Sequence, residues 1–240
     1  MFELHHQRVV LLGGSAGIGR AAAGLLSELG AEVVIASRSA GRVDAALAEL
    51  PASAEGRVVD VNSEEALERL FADLGHFDHL VYTAGEPLRP FPLESADLQE
   101  ARRFTEARVW GALAAVKHAH RQIRPGGSIV LTSGSAAMRP AAGWMIGAAV
   151  CGAMEAITRT LAVELAPLRV NAIAPGIVRT ELWSGISEAE RDEMFAQTAR
   201  ALPVGRVGEP RDVAQSIAYL LADGYVSGTV VEVNGGGNLV

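Results

Sequence analysis

Two textures of hydrophobic patterning alternate along this chain. Short runs of β-branched and large apolar residues occur at Val9–Leu12, Glu32–Ser37, Arg57–Val59, His79–Thr83, Ser128–Ser133, Arg169–Ala174 and Thr229–Val233, and these predict seven strands. Between them lie longer stretches with helical period or propensity: Ile18–Leu29, Gly41–Leu50, Ser63–Leu74, Leu98–Ile123, Gly147–Leu165 and Pro210–Leu221. Several open on helix-start signals, such as Asn62-Ser63 with Glu65, or Glu209-Pro210 ahead of Asp212, where side chains satisfy free backbone N–H groups. Strand–helix alternation predicts a parallel sheet covered by helices on both faces, joined by right-handed crossovers. No second core and no internal repeat interrupts it. Residues 1–240 therefore read as one doubly wound, Rossmann-like α/β domain of about seven strands. One long insertion, Glu181–Arg206, carries an amphipathic piece at Glu188–Arg200.

Composition narrows the function classes. A chain of 240 residues with 49% hydrophobic and 20% charged positions is globular and large enough for one substantial core. A net charge of −7 argues against nucleic acid or an anionic membrane as partner. The single cysteine, Cys151, forms no intrachain disulfide, which suits a reducing cytoplasm. The longest charge-free run, Pro140–Met154, is shorter than the ~20 residues of a membrane span, and no signal-peptide pattern follows Arg8. The expectation is a soluble, cytoplasmic protein.

The candidate chemistry begins at Leu11-Leu12-Gly13-Gly14-Ser15-Ala16-Gly17-Ile18-Gly19, which follows the first predicted strand and opens the first helix. Glycines let the backbone turn tightly and approach a pyrophosphate, and the helix N-terminus presents free N–H groups to it. Farther along stand Asp60-Val61, Tyr82-Thr83-Ala84-Gly85, Pro175-Gly176-x-Val178-x-Thr180, and a tail running from Arg206–Pro210 through Asn234-Gly235-Gly236. Five segments in this order and spacing resemble the short-chain dehydrogenase/reductase family over essentially the whole chain. The resemblance implies a nicotinamide dinucleotide held by Gly13, Ser15, Ala16, Gly17, Ile18 and Gly19 at the turn. It implies Asp60 and Val61 at the adenine, Ala84 and Gly85 beside the cofactor, and Pro175, Gly176, Val178 and Thr180 at the nicotinamide amide and the phosphates. At the end of the second strand an acidic residue would accept hydrogen bonds from the ribose. This chain has Ser37-Arg38 instead, and a guanidinium pairs bidentately with a 2′-phosphate, so NADP(H) is the expected cofactor. The plainer reading of Arg38 is that it starts a solvated helix.

The same resemblance implies a catalytic tyrosine, a lysine four residues on, a serine thirteen before the tyrosine, and an asparagine on the preceding long helix. The run from Ser133-Gly134-Ser135 through Arg139-Pro140 and Gly143-Trp144 to Glu164-Leu165-Ala166-Pro167 needs no gap. Within it the tyrosine position is Gly147, the lysine position Cys151 and the serine position Gly134; the asparagine position is Arg108. No side chain remains that is assigned to catalysis. No Tyr-x-x-x-Lys pair exists anywhere, since the only lysine is Lys117. Ser133 and Ser135 flank the serine position, but neighbours on a strand point to opposite faces.

Cys151 reads either as a thiol activated by Arg108 or as a small apolar group in an Ala/Gly-rich helix. Arg108 binds an anionic ligand or fills the space of the missing lysine. Trp144, Met145, Trp183 and Met194 line a pocket or belong to the core. His118 and His120 point to different faces of one helix, His5-His6 and His76/His79 lie on short irregular segments, and no metal site is expected. The combined expectation is an NADP(H)-binding oxidoreductase with a degenerate catalytic site and a small-molecule ligand. The alternatives are a non-catalytic, NADP(H)-responsive regulatory protein, or a structural subunit paired with an active relative. Ala148, Ala149, Gly152, Ala153 and Ala156 allow close helix approach, so a homodimer or homotetramer is expected.

Overall fold

The computed structural model describes residues 4–240. Seven parallel strands form one sheet in the order β3-β2-β1-β4-β5-β6-β7. They are β1 (Arg8–Leu12), β2 (Glu32–Ser37), β3 (Glu55–Val58), β4 (Phe77–Tyr82), β5 (Ile123–Thr132), β6 (Arg169–Pro175) and β7 (Val230–Val233). The helices between them are α1 (Gly17–Glu28), α2 (Ala40–Leu47), α3 (Glu64–Leu74), α4 (Leu98–Thr105), α5 (Gly111–Ala119), α6 (Met145–Glu164), α7 (Glu188–Ala201) and α8 (Pro210–Ala222).

The unbroken apolar strands make sense once both sheet faces are covered, because period-2 alternation then feeds two cores instead of one. Val10 and Leu12 of β1 and Leu80 and Tyr82 of β4 pack with α3, α5 and α6. Val9, Leu11, Ile35, Val81 and Val130 pack on the other face against α1, α2 and α8. Strand order reverses between β2-β1 and β4-β5, which opens a crevice at the carboxyl ends of β1 and β4, the usual ligand position in such sheets.

Local signals act as read at several starts. Ser63 caps α3 by accepting from Ala66 N–H, and at the start of α8 the Asp212 carboxylate accepts from Glu209 N–H, with Pro210 at the first helical position. The amphipathic piece of the insertion is α7, started by a Ser187–Glu190 capping box.

The expected single helix Leu98–Ile123 is not continuous. Its middle, Glu106–Trp110, is a wider π turn, and Ile123 already pairs with Phe77 as the first residue of β5. The π turn ends with Gly111 N–H bonded to Glu106 C=O, which leaves the Ala107 carbonyl to accept the Tyr82 hydroxyl. A Cβ at Gly111 would stand 2.7 Å from that hydroxyl oxygen, so the glycine is part of the same arrangement. Neither partner announces this locally, which is why periodicity missed it; such turns recur at functional sites.

His79 lies inside β4, as the strand reading His79–Thr83 has it and not on a short irregular segment. Its Nε2 donates to Gln7 Oε1 at 2.6 Å and its Nδ1 accepts from Ser128 Oγ at 2.9 Å. Burial lowers its pKa to about 4, so the ring is a neutral core link between strands. Among the described residues, no three His, Cys, Asp or Glu side chains converge in a way that suits a metal ion.

Candidate active site

The turn between β1 and α1 leaves no room for side chains. Gly13 has φ +93°, and a Cβ there would lie 2.6 Å from Ala84 N. At Gly19 it would lie 2.2 Å from Gly13 O and 2.6 Å from Thr83 Oγ1. The absent side chains thus form a cradle tied to the β4 loop, and Thr83 N–H fastens that loop to Leu12 C=O at 2.8 Å. Ala16 sits at the N-cap of α1 without any side-chain cap, and the first turn holds no acidic residue. The N–H groups of that turn remain available to an anion, with the positive end of the helix behind them. Ser15 and Ile18 flank the same turn, Ser15 buried at its base.

The other predicted contacts surround this turn. Thr180, across from it, is 3.3 Å from the position of a Gly17 Cβ and accepts from Leu182 N–H at the start of a short 3₁₀ turn. Val178 is buried beside Gly208, and its carbonyl accepts from Trp183 Nε1 at 3.0 Å. Pro175 ends β6, and Gly176 presses against Asn234, 3.0 Å from where its Cβ would be. Asp60 is exposed just past β3 and accepts from Asn62 N–H, with Val61 half-buried beside it. Residues drawn from β1, β2, β3, β4 and β6 therefore meet along one line at the carboxyl end of the sheet. The cradle, the uncapped helix end and the surrounding donors suit a dinucleotide.

Arg38 has a partner that neither sequence reading named. Its guanidinium makes a two-pronged ion pair with Glu86, 2.7 and 3.0 Å. Ser37 closes β2 immediately before it. Glu86 was missed from sequence; the one signal was an acidic residue directly after Ala84-Gly85, whose partner only the fold reveals.

Of the four positions where the resemblance implies catalytic groups, Gly134, Cys151 and Arg108 lie near one another, and Gly147 is one turn before Cys151 on α6. Gly134 is extended, and its missing Cβ would stand 3.1 Å from Cys151 Sγ. Gly147 meets only a ring carbon of Trp144, at 3.3 Å. Arg108, on the π turn, lies with its guanidinium 4.7 Å from the centre of the Phe104 ring and donates to the Glu86 carbonyl. Its Nε is buried without a hydrogen-bond partner. Burial lowers the Arg108 pKa, with nearby Cys151, Glu86 and Tyr82 acting in the opposite direction.

Burial pushes the Cys151 thiol up, and this outweighs the favourable field of Arg108 and the hydrogen bonds from Ser133 and the Ala137 backbone. A raised thiol pKa leaves little thiolate at neutral pH, and thiolate is the reactive form. The Cys151 sulfur fills the space in front of Gly134, 3.1 Å from where its Cβ would stand. Ser133 turns toward α6, where its hydroxyl donates to Cys151 C=O at 3.1 Å. Tyr82 is pushed well above the ordinary tyrosine range by burial and its hydroxyl is committed to Ala107.

The aromatic candidates divide. Trp144 and Trp183 meet edge-to-face, centroids 6.2 Å apart, and cluster with Met194 and Phe195, whereas Met145 packs into the core beside α3 and α5.

A family model described as enoyl-(acyl carrier protein) reductase matches residues 13–238. A short-chain dehydrogenase/reductase of Stachybotrys chlorohalonatus, ATR9, is 36% identical over 98% of this chain and 98% of its own length. Among solved structures, a small-chain dehydrogenase in complex with NADPH superposes with a TM-score of 0.88 at 36% identity, covering 98% of this chain and 100% of that one. The MalC reductase/Diels-Alderase of Malbranchea aurantiaca superposes with a TM-score of 0.89 at 29% identity, covering 98% and 97%.

Proposed function

The chain belongs to the short-chain dehydrogenase/reductase family, and from that premise we propose an NADP(H)-binding oxidoreductase that acts on a small-molecule ligand without a side chain to deliver the proton. One observation carries the reading: the glycine cradle is intact, while Gly134, Gly147 and Cys151 supply no serine hydroxyl, tyrosine phenol or lysine ammonium at those positions. The NADPH complex of the similar dehydrogenase supports the choice of cofactor. When bound, such a cofactor supplies the hydride. This chain's own contribution is placement. Gly13, Gly17 and Gly19 admit the pyrophosphate to the backbone, Arg38 takes the 2′-phosphate, Asp60 and Val61 border the adenine, and Pro175–Thr180 hold the nicotinamide amide. A proton needed at a reduced oxygen has to come from water or from the ligand.

The test is hydride exchange with NADPH over a broad carbonyl and alcohol panel. Binding with turnover of selected ligands supports the proposal. Tight binding with no exchange across the panel replaces it with the regulatory or structural-subunit reading.

Cofactor choice is checked separately by NADPH fluorescence. A charge-assisted contact contributes on the order of 1.5–3 kcal/mol, so NADPH should bind at least tenfold more tightly than NADH, and Arg38→Ala should remove most of that difference. Equal affinities in the unaltered protein would end the assignment.

We also propose self-association through α6. It is 20 residues long with mean hydropathy 1.4, long and apolar enough by composition to cross a membrane, yet it serves as the crossover packed on β6. Only Val150, Met154 and Thr158 are buried. Ala149, Ala156 and Val163 form an exposed stripe at heptad spacing, and a Cβ at Gly152 would meet nothing within 4 Å. Light scattering at micromolar concentration should give a dimer or tetramer. A 25.1 kDa species would refute it.

A further inference from the structure

We propose that Glu86 is an internal competitor for the 2′-phosphate and so sets the strength of NADP(H) binding, an inference that rests on the NADP(H) reading above. Arg38 follows β2 and Glu86 follows β4, and these two strands flank β1, whose carboxyl end carries the glycine turn. The ion pair therefore reaches from one side of the phosphate-binding turn to the other. Both oxygens of the carboxylate are engaged, at 2.7 and 3.0 Å, in the forked geometry that a phosphate would use. A guanidinium presents one such fork in this direction, and carboxylate and phosphate cannot both fill it.

Three observations define the competitor. Glu86 is held in place through its backbone, whose carbonyl accepts from the buried Arg108, so the side chain moves while the residue stays. Its carboxylate has somewhere to go, because Glu86 borders an open cavity of about 630 Å³ lined by Asn62, by Arg89 and Arg103, and by Glu100 and Glu106, with Arg89 already paired to Glu100. And the Arg38 side chain is 57% exposed, so the pair opens without uncovering the core. An exposed pair of this kind is weak, which suits a contact that a doubly charged phosphate displaces. NADH carries no group that needs the fork and leaves the pair closed.

The experiment compares Glu86→Gln, Arg38→Ala and the double variant by fluorescence titration with NADPH and with NADH. Glu86→Gln should bind NADPH about three- to tenfold more tightly and NADH unchanged, and the gain should vanish in the Arg38→Ala background. NADPH binding that weakens in Glu86→Gln would mean that Glu86 props Arg38 into place, and this inference would fall. Equal tightening of both cofactors would mean a general charge effect and would also overturn it. If Arg38→Ala itself leaves the NADPH preference intact, the cofactor assignment fails instead, so the two failures are distinguishable. Thermal melts of all three variants exclude unfolding as the cause.

Discussion

The unaltered protein with NADPH should show no reduction of simple ketones above background, and restoring the missing groups should create it. General acid catalysis contributes typically 10²–10⁴-fold, and position 147 offers no acid. Space for one exists: a Cβ at Gly147 meets only the Trp144 ring edge, at 3.3 Å. Gly134→Ser alone should do little, since its Cβ would press on Cys151 Sγ at 3.1 Å, whereas combining it with Cys151→Lys changes both sides of that contact. Gly147→Tyr with Cys151→Lys sets a phenol and an ammonium one helical turn apart on α6.

Arg108 complicates the graft, because its guanidinium acts directly on the group at position 151 and like charges disfavour each other. The triple variant Gly147→Tyr/Cys151→Lys/Gly134→Ser should therefore gain weak activity on small ketones, and adding Arg108→Asn should raise it further. Steady-state NADPH oxidation measures all of these. Robust turnover by the unaltered protein, abolished by Cys151→Ala, would show that the cysteine is catalytic despite its burial and that this reading of the site is wrong.

Gly19→Ala should cost at least a hundredfold in NADPH affinity. Its methyl group would lie 2.2 Å from Gly13 O, a backbone atom that cannot turn aside, and 2.6 Å from Thr83 Oγ1. Relief requires the glycine turn and the β4 loop to separate, which removes the pyrophosphate contacts and costs about 1–3 kcal/mol of stability as overpacking. Gly24→Ala provides the control on the same helix. A Cβ there meets nothing within 4 Å, so helix propensity alone acts and stability should rise by up to about 1 kcal/mol. Titration and thermal melting separate the two effects. Near-normal NADPH binding by folded Gly19→Ala would show that the cofactor does not use this cradle.

What the sequence by itself determined was whatever repeats over short distances. Alternation of apolar runs with helical periods gave seven strands and the helices between them, and α/β order gave a parallel doubly wound sheet. The glycine turn was legible because part of its requirement is local: a Cβ at Gly19 would stand 2.2 Å from Gly13 O, whereas the crowding at Gly13 comes from Thr83 and Ala84 of the β4 loop, which only the fold brings there. Gly134, Gly147 and Cys151 could be placed against the family pattern for a similar reason, since they sit in an ungapped run beside recognisable neighbours.

The tertiary structure decided who meets whom. Arg38 and Glu86 are 48 residues apart and pair only because β1 lies between the strands that carry them. Tyr82 and Ala107 are 25 apart, and their bond accompanies a π turn that no hydrophobic period encodes. The raised thiol pKa of Cys151 likewise follows from desolvation, which residue type does not fix, although the cation that would lower it, Arg108, is present. Periodicity reports which face of an element is buried; it carries no information about the polar partner waiting on another strand.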